Sequence, residues 1–182
     1  MADFKHDKYA PGEMILSREQ IEESAVRIGK QITADYEGKE VILVGILSGC
    51  VMWMAEIMKS IELDIKVDFM SVSSYGSATR SSGVVKIAKD LSSDIKGCHA
   101  LIVEDIIDSG VTLDYLCHYL RGREPASLKI CAMLDKPSGR RVDISADYVG
   151  FVVPDAFLVG YGLDAAQRYR NLPNIATLQE KE

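Results

Sequence analysis

Between Leu101 and Leu116 the chain reads LIVEDIIDSGVTLDYL, with Glu104, Asp105, Asp108, Ser109, Gly110 and Thr112 crowded between two apolar segments. Leu101 to Val103 suit a buried strand, and Leu113, Leu116, Cys117 and Leu120 recur at helical spacing. The polar residues are therefore expected at a strand-to-helix turn. There the first N–H groups of the helix lack intrahelical partners and carry the positive end of its dipole, so a phosphate can be held without a lysine. Gly110 lets the backbone approach the anion closely, and the Ser109 and Thr112 hydroxyls can donate to it. Glu104 and Asp105 would repel that phosphate unless they bind something else, and ribose hydroxyls or a divalent cation both meet the need. Helix capping by Asp108 or Ser109 would account for one residue of this group and leave the others unexplained. The chemistry indicated is recognition of a sugar phosphate.

The turn lacks the Gly-Lys-Ser/Thr ending of a Walker loop and the G-x-G-x-x-G of a dinucleotide fingerprint. What remains resembles the 5-phosphoribosyl-1-pyrophosphate (PRPP) motif of type I phosphoribosyltransferases. ILSG at Ile46 to Gly49, SSYG at Ser73 to Gly76, LDKP at Leu134 to Pro137 and FLVGYGLD at Phe157 to Asp164 follow the same order. Together these motifs resemble the hypoxanthine-guanine phosphoribosyltransferase family from about Ile15 to Ala176.

The resemblance implies Mg²⁺-dependent transfer of the phosphoribosyl group from PRPP to a 6-oxopurine base, hypoxanthine or guanine, giving IMP or GMP and pyrophosphate. Positive charge builds on the ribose in such a transition state, and carboxylates near the ring stabilise it. By the same resemblance, Glu104, Asp105, Asp108, Ser109, Gly110, Val111 and Thr112 bind the ribose phosphate, with Glu104 and Asp105 on the ribose hydroxyls. Glu104, Asp105 and Asp164 are the implied Mg²⁺ contacts. Asp108 matches the family's general base near purine N7. A free Asp has a pKa of about 3.9, so its surroundings must raise that value for efficient proton transfer at neutral pH. Lys136 stands between an apolar run and a Pro137-Ser138-Gly139 turn, from which its ammonium could reach a 6-oxo group and disfavour adenine, whose amino group would meet it donor to donor. Phe157 and Leu158 match the stacking and carbonyl contacts to the purine, with Asp164 beside them. Ser48 and Gly49 match the pyrophosphate loop, Arg170 a further pyrophosphate contact, and Ser74 and Tyr75 a mobile loop that closes over the site. The family often carries lysines where this chain has Ser48 and Val111, so two positive charges fewer are expected around the phosphates.

Hydrophobic residues at 47% and charged residues at 26% fit a soluble globular protein, and no apolar run approaches the roughly 20 residues needed to span a membrane. The opening MADFKHDKYAPGEM lacks a secretory apolar core. A formal charge of −6 opposes a nucleic-acid surface built on clustered Lys and Arg. Cys50, Cys98, Cys117 and Cys131 show no C-x-x-C spacing, which favours buried reduced thiols and a cytoplasmic location. The length of 182 residues without a Pro/Gly/Ser-rich linker indicates one domain spanning 1–182. A homodimer or homotetramer is what the resemblance implies.

The elements that must position these residues follow from periodicity. Ser17 and Gln20 form a capping box, and Ile21, Ala25, Ile28 and Ile32 trace a helical face ending near Gly38. Val41 to Leu47 reads as a strand, followed by a helix with Val51, Met54, Ala55 and Met58 on its apolar face. Ile65 to Val72, Val84 to Ala88 and Leu128 to Leu134 read as further strands, and Ser73 to Gly83 as a loop. The alternation predicts an α/β fold with a mostly parallel sheet flanked by helices, and its ligands gather beyond the carboxyl ends of the strands, where Ser48, Asp108 and Lys136 fall. Tyr148 to Val153 and Phe157 to Tyr161 are β-like. They resemble the family's small hood over the purine, expected from the N-terminal segment and about 145–182. Two other readings stay open: a relative preferring xanthine, and a PRPP-sensing regulator without catalysis.

Overall fold

The segment Val41–Leu47 (β2) is almost wholly apolar because both of its faces are covered. Val41 and Leu43 belong to one core cluster, whereas Ile42, Val44 and Ile46 belong to the other. The computed structural model describes residues 8–74 and 85–181. Its main sheet has six strands: β2, β3 (Ile65–Ser74), β4 (Val85–Lys89), β5 (His99–Ile107), β6 (Ser127–Asp135) and β7 (Tyr148–Val152). They are ordered β4-β3-β2-β5-β6-β7, and all pairings are parallel except β3 with β4. Helices α1 (Arg18–Asp35) and α2 (Val51–Ser60) cover one face, and α3 (Val111–Arg121) covers the other.

The capping box at the start of α1 forms as expected: Gln20 N–H donates to Ser17 Oγ at 3.3 Å, and Ser17 N–H donates to Gln20 Oε1 at 2.8 Å. Gly29 in α1 lies against the end of α2, where an added Cβ would fall 2.2 Å from the Ser60 carbonyl oxygen. The buried face of α2 differs from the expected one. Trp53, Met54 and Ile57 point inward, while Val51 and Met58 are exposed. Two apolar faces overlap in this helix, and the one with the larger side chains gains more from burial.

Two further departures bear on the site. Pairing with β6 continues through Ile107 and Asp135, so β5 extends past Leu101–Val103 and includes Glu104 and Asp105. Ladder pairing has overridden their low strand propensity, and only Asp108–Gly110 separates β5 from α3. The hood is narrower than expected. It is a three-stranded sheet, β1-β9-β8, formed by β1 (Tyr9–Leu16), β8 (Leu158–Val159) and β9 (Ile175–Glu180). Tyr148–Val152 instead pairs with β6 in the main sheet. Leu16, Leu158, Leu163 and Ile175 of the hood region share one core cluster with Ile21, Trp53 and Leu101.

Candidate active site

Three strand ends deliver the functional residues to one rim. β2 ends at the turn carrying Ser48 and Gly49, β5 runs into Asp108–Gly110, and β6 ends just before Lys136. The N-cap of α3 is Gly110 at φ 78°, with no side-chain capping bond. Asp108 and Ser109 are therefore not caps in the ordinary sense; the Val111 N–H reaches Ser109 Oγ only at 3.5 Å. The first turn of the helix is left able to receive an anion. Glu104, Asp105, Asp108, Ser109, Gly110 and Thr112 line an open cleft of about 230 Å³ at this point.

A second cleft, of about 170 Å³, adjoins it and shares Ile106 and Asp108 with the first. Its other walls include Lys136, Phe157, Leu158, Leu163 and Asp164. Asp108 Oδ2 is 2.9 Å from the Lys136 ammonium, and Asp155 Oδ1 approaches the same nitrogen at 3.4 Å. Burial works against the charge of Lys136, but the hydrogen bonds and charges of Asp108 and Asp155 outweigh it and hold its pKa above the usual lysine value. Phe157 is 59% exposed, which leaves a ring face free for stacking.

Glu104 and Asp105 sit in a less comfortable environment. Glu104 Oε2 is enclosed and has no hydrogen-bond partner among the described residues. Burial, reinforced by the charge of Asp105, pushes the Glu104 pKa well above the usual carboxyl range. Burial also raises Asp105 to about 6, against the pull of the Ile106 N–H and the charge of Arg170. Asp105 Oδ1 accepts from the Ile106 N–H at 2.7 Å, and its other oxygen occupies the space a side chain at Gly49 would need, 1.5 Å from the ideal Cβ position.

Arg170 donates to the Gly162 carbonyl at 2.6 Å and pairs with Asp164 at 2.7 Å. It is therefore tied into the site rather than solvated. Asp164 also accepts from the Gln167 N–H at 2.7 Å. Gly162 adopts φ 102° and packs on the Gly49 carbonyl, 2.0 Å from where a Cβ would stand. The hood therefore touches the Ser48–Gly49 turn through bare backbone. Ser48 is exposed on that turn, Val111 opens α3, and Ser74 ends β3. That strand runs two residues into the loop expected from Ser73, and Tyr75 with the rest of that loop, through Gly83, lies outside the described residues.

Known proteins with this fold narrow the chemistry. The phosphoribosyl transferase domain family matches residues 11–166. The hypoxanthine-guanine phosphoribosyltransferase of Bacillus subtilis is 51% identical over 166 residues, covering 91% of this chain and 92% of that protein. The chain belongs to the hypoxanthine-guanine phosphoribosyltransferase family. A hypoxanthine phosphoribosyltransferase from Staphylococcus aureus superposes with TM-score 0.90 at 45% identity, covering 98% of this chain and 96% of that one. The Trypanosoma cruzi enzyme, solved as a mutant in a ternary substrates complex, gives TM-score 0.88 at 38% identity over 93% of this chain and 96% of that one.

As a phosphoribosyltransferase, this chain has site residues that its motifs did not announce. Arg140 donates to the Asp108 carbonyl at 2.9 Å and pairs with Asp135, which ties the end of β6 to the loop before α3. The Arg141 N–H donates to the Ser109 carbonyl at 2.9 Å. Gly139 leaves room for the Asp108 carboxylate, whose Oδ1 lies 1.8 Å from the ideal Cβ position. Asp155 pairs with Lys136 from the turn after β7. The only sequence signal for Asp155 was its place two residues before Phe157.

Proposed function

We propose that this phosphoribosyltransferase transfers the 5-phosphoribosyl group of PRPP to hypoxanthine or guanine in the cytoplasm, as a homodimer or homotetramer, releasing pyrophosphate with IMP or GMP. What supports this reading above all is the position of Asp108, shared by the anion-accepting cleft at α3 and the Lys136–Phe157 cleft. A carboxylate between a sugar-phosphate site and a base site is where a proton acceptor is needed.

In this mechanism the 5′-phosphate rests on the first N–H groups of α3, aided by Ser109 and Thr112. Glu104 and Asp105 take the ribose hydroxyls, which gives the enclosed Glu104 oxygen a donor. The bond from the anomeric carbon to pyrophosphate breaks, with its electron pair leaving on the pyrophosphate. A purine ring nitrogen forms the new bond to that carbon, and the proton lost from N7 passes to Asp108. Lys136 donates to the 6-oxo group, Phe157 stacks on the ring, and the Leu158 carbonyl faces the base. Ser48, Gly49 and Arg170 receive the pyrophosphate.

The acidic side chains here offer only hard oxygen donors, which suit Mg²⁺. Glu104, Asp105 and Asp164 would hold Mg²⁺, which when bound neutralises charge on the leaving pyrophosphate.

The test is product formation from PRPP and Mg²⁺ with hypoxanthine, guanine, xanthine and adenine in parallel. Conversion of hypoxanthine and guanine but not adenine supports the reading. Faster turnover of xanthine would replace the substrate, and PRPP binding without turnover of any base would make the protein a non-catalytic PRPP sensor.

A further inference from the structure

We propose that Asp155 is a positioning residue that seats the Lys136 ammonium against the purine, an inference resting on the reading of Lys136 as the 6-oxo donor. An ammonium carries three N–H donors. Lys136 Nζ lies 2.9 Å from Asp108 Oδ2 and 3.4 Å from Asp155 Oδ1. The two acids come from separate segments, one after β5 and one after β7. They occupy two of the donors and leave the third for a ligand in the cleft that Lys136 lines.

The lysine side chain is only 12% exposed, so its charge needs partners throughout the reaction. Asp108 is an unreliable partner, because accepting the purine proton makes it neutral and weakens its hold on the ammonium. Asp155 does not receive the proton being transferred. It holds Lys136 in place at the moment Asp108 lets go. Bonds from the Val153 N–H to the Asp135 carbonyl and from the Ala156 N–H to the Pro154 carbonyl, both 2.9 Å, fix the turn that carries Asp155. Its side chain is 72% exposed, so replacing it leaves the core untouched.

The experiment compares Asp155→Asn and Asp155→Glu with the parent enzyme, using hypoxanthine, guanine, PRPP and Mg²⁺. In the Asn variant the KM for both purines rises about three- to tenfold, while the KM for PRPP and the melting temperature stay at parental values. The Glu variant recovers much of the purine affinity. Parental purine KM in the Asn variant, or equal losses for purine and PRPP, would overturn the proposal. Nitrogen-15 spectra of the lysine ammonium groups read the tether without turnover. A slowly exchanging Lys136 signal that vanishes in the Asn variant supports the assignment, and one that persists refutes it. A parent enzyme inert toward both purines would instead overturn the proposed function, and the ammonium spectra would still decide the role of Asp155.

Discussion

Asp108 stands where two clefts meet, with Lys136 on one oxygen and the bare backbone of Gly139 beside the other. Replacing it with asparagine keeps the shape and removes the proton acceptor. Asp108→Asn should lower kcat by about 10²–10⁴-fold with little change in PRPP affinity; equal losses in both would make Asp108 a binding group. Glu104 presents the opposite balance, a buried oxygen that finds no hydrogen-bond partner among the described residues, an arrangement that carries a desolvation cost. Glu104→Gln should raise the melting temperature of the free enzyme and weaken its affinity for ribose 5-phosphate, a trade-off expected where function requires local discomfort. A lower melting temperature would show that the carboxylate stabilises the fold. The carboxylates, hydroxyls and glycine of the turn were legible because they are neighbours in the chain. Asp155 and Arg140 were not, since each acts on a residue brought near only by folding.

Among the elements, the edge formed by β3 and β4 depends on two acids remote from the chemistry. Asp68 accepts from the N–H groups of Phe69, Ser92 and Ser93 at 2.7, 2.7 and 2.8 Å, which pins the segment after β4 onto β3. Burial alone would raise its pKa, but these donors together hold it below the usual 3.8. Asp90 is held low in the same way, with burial outweighed by the Tyr119 hydroxyl, the Leu91 N–H and Arg123. A depressed carboxylate stabilises the folded state fully above its unfolded pKa, and that contribution disappears as pH falls through the lower folded value. Chemical denaturation from pH 6 down to pH 2 should therefore show stability falling most steeply below about pH 4. Asp68→Asn should cost about 1–2 kcal/mol at pH 6 and flatten that decline; an unchanged acid limb would place its origin elsewhere. Helix α1 and strand β2 could be read directly, because a capping box and an unbroken apolar run are local signals. The true inward face of α2 and the extra length of β5 could not, because packing area and pairing with β6 decided them. The β1–β9 pairing joins Tyr9 to Glu180, a separation that no local pattern reports.

At the level of the molecule, hood and main sheet share one apolar cluster that includes Trp53, the sole tryptophan. The two sheets should unfold together, and Trp53 fluorescence and far-UV circular dichroism should give coincident denaturation curves. Separate midpoints would mean that the hood melts by itself. The parallel sheet brings three strand ends to one rim, and the hood closes it by resting Gly162 on the Gly49 carbonyl. The start of α3 at Gly110 carries no side-chain cap. A phosphate held at contact distance by N–H groups is less open to ionic screening than one held by charges on long solvated side chains, so its affinity should decline more gently with ionic strength than in a lysine-lined site.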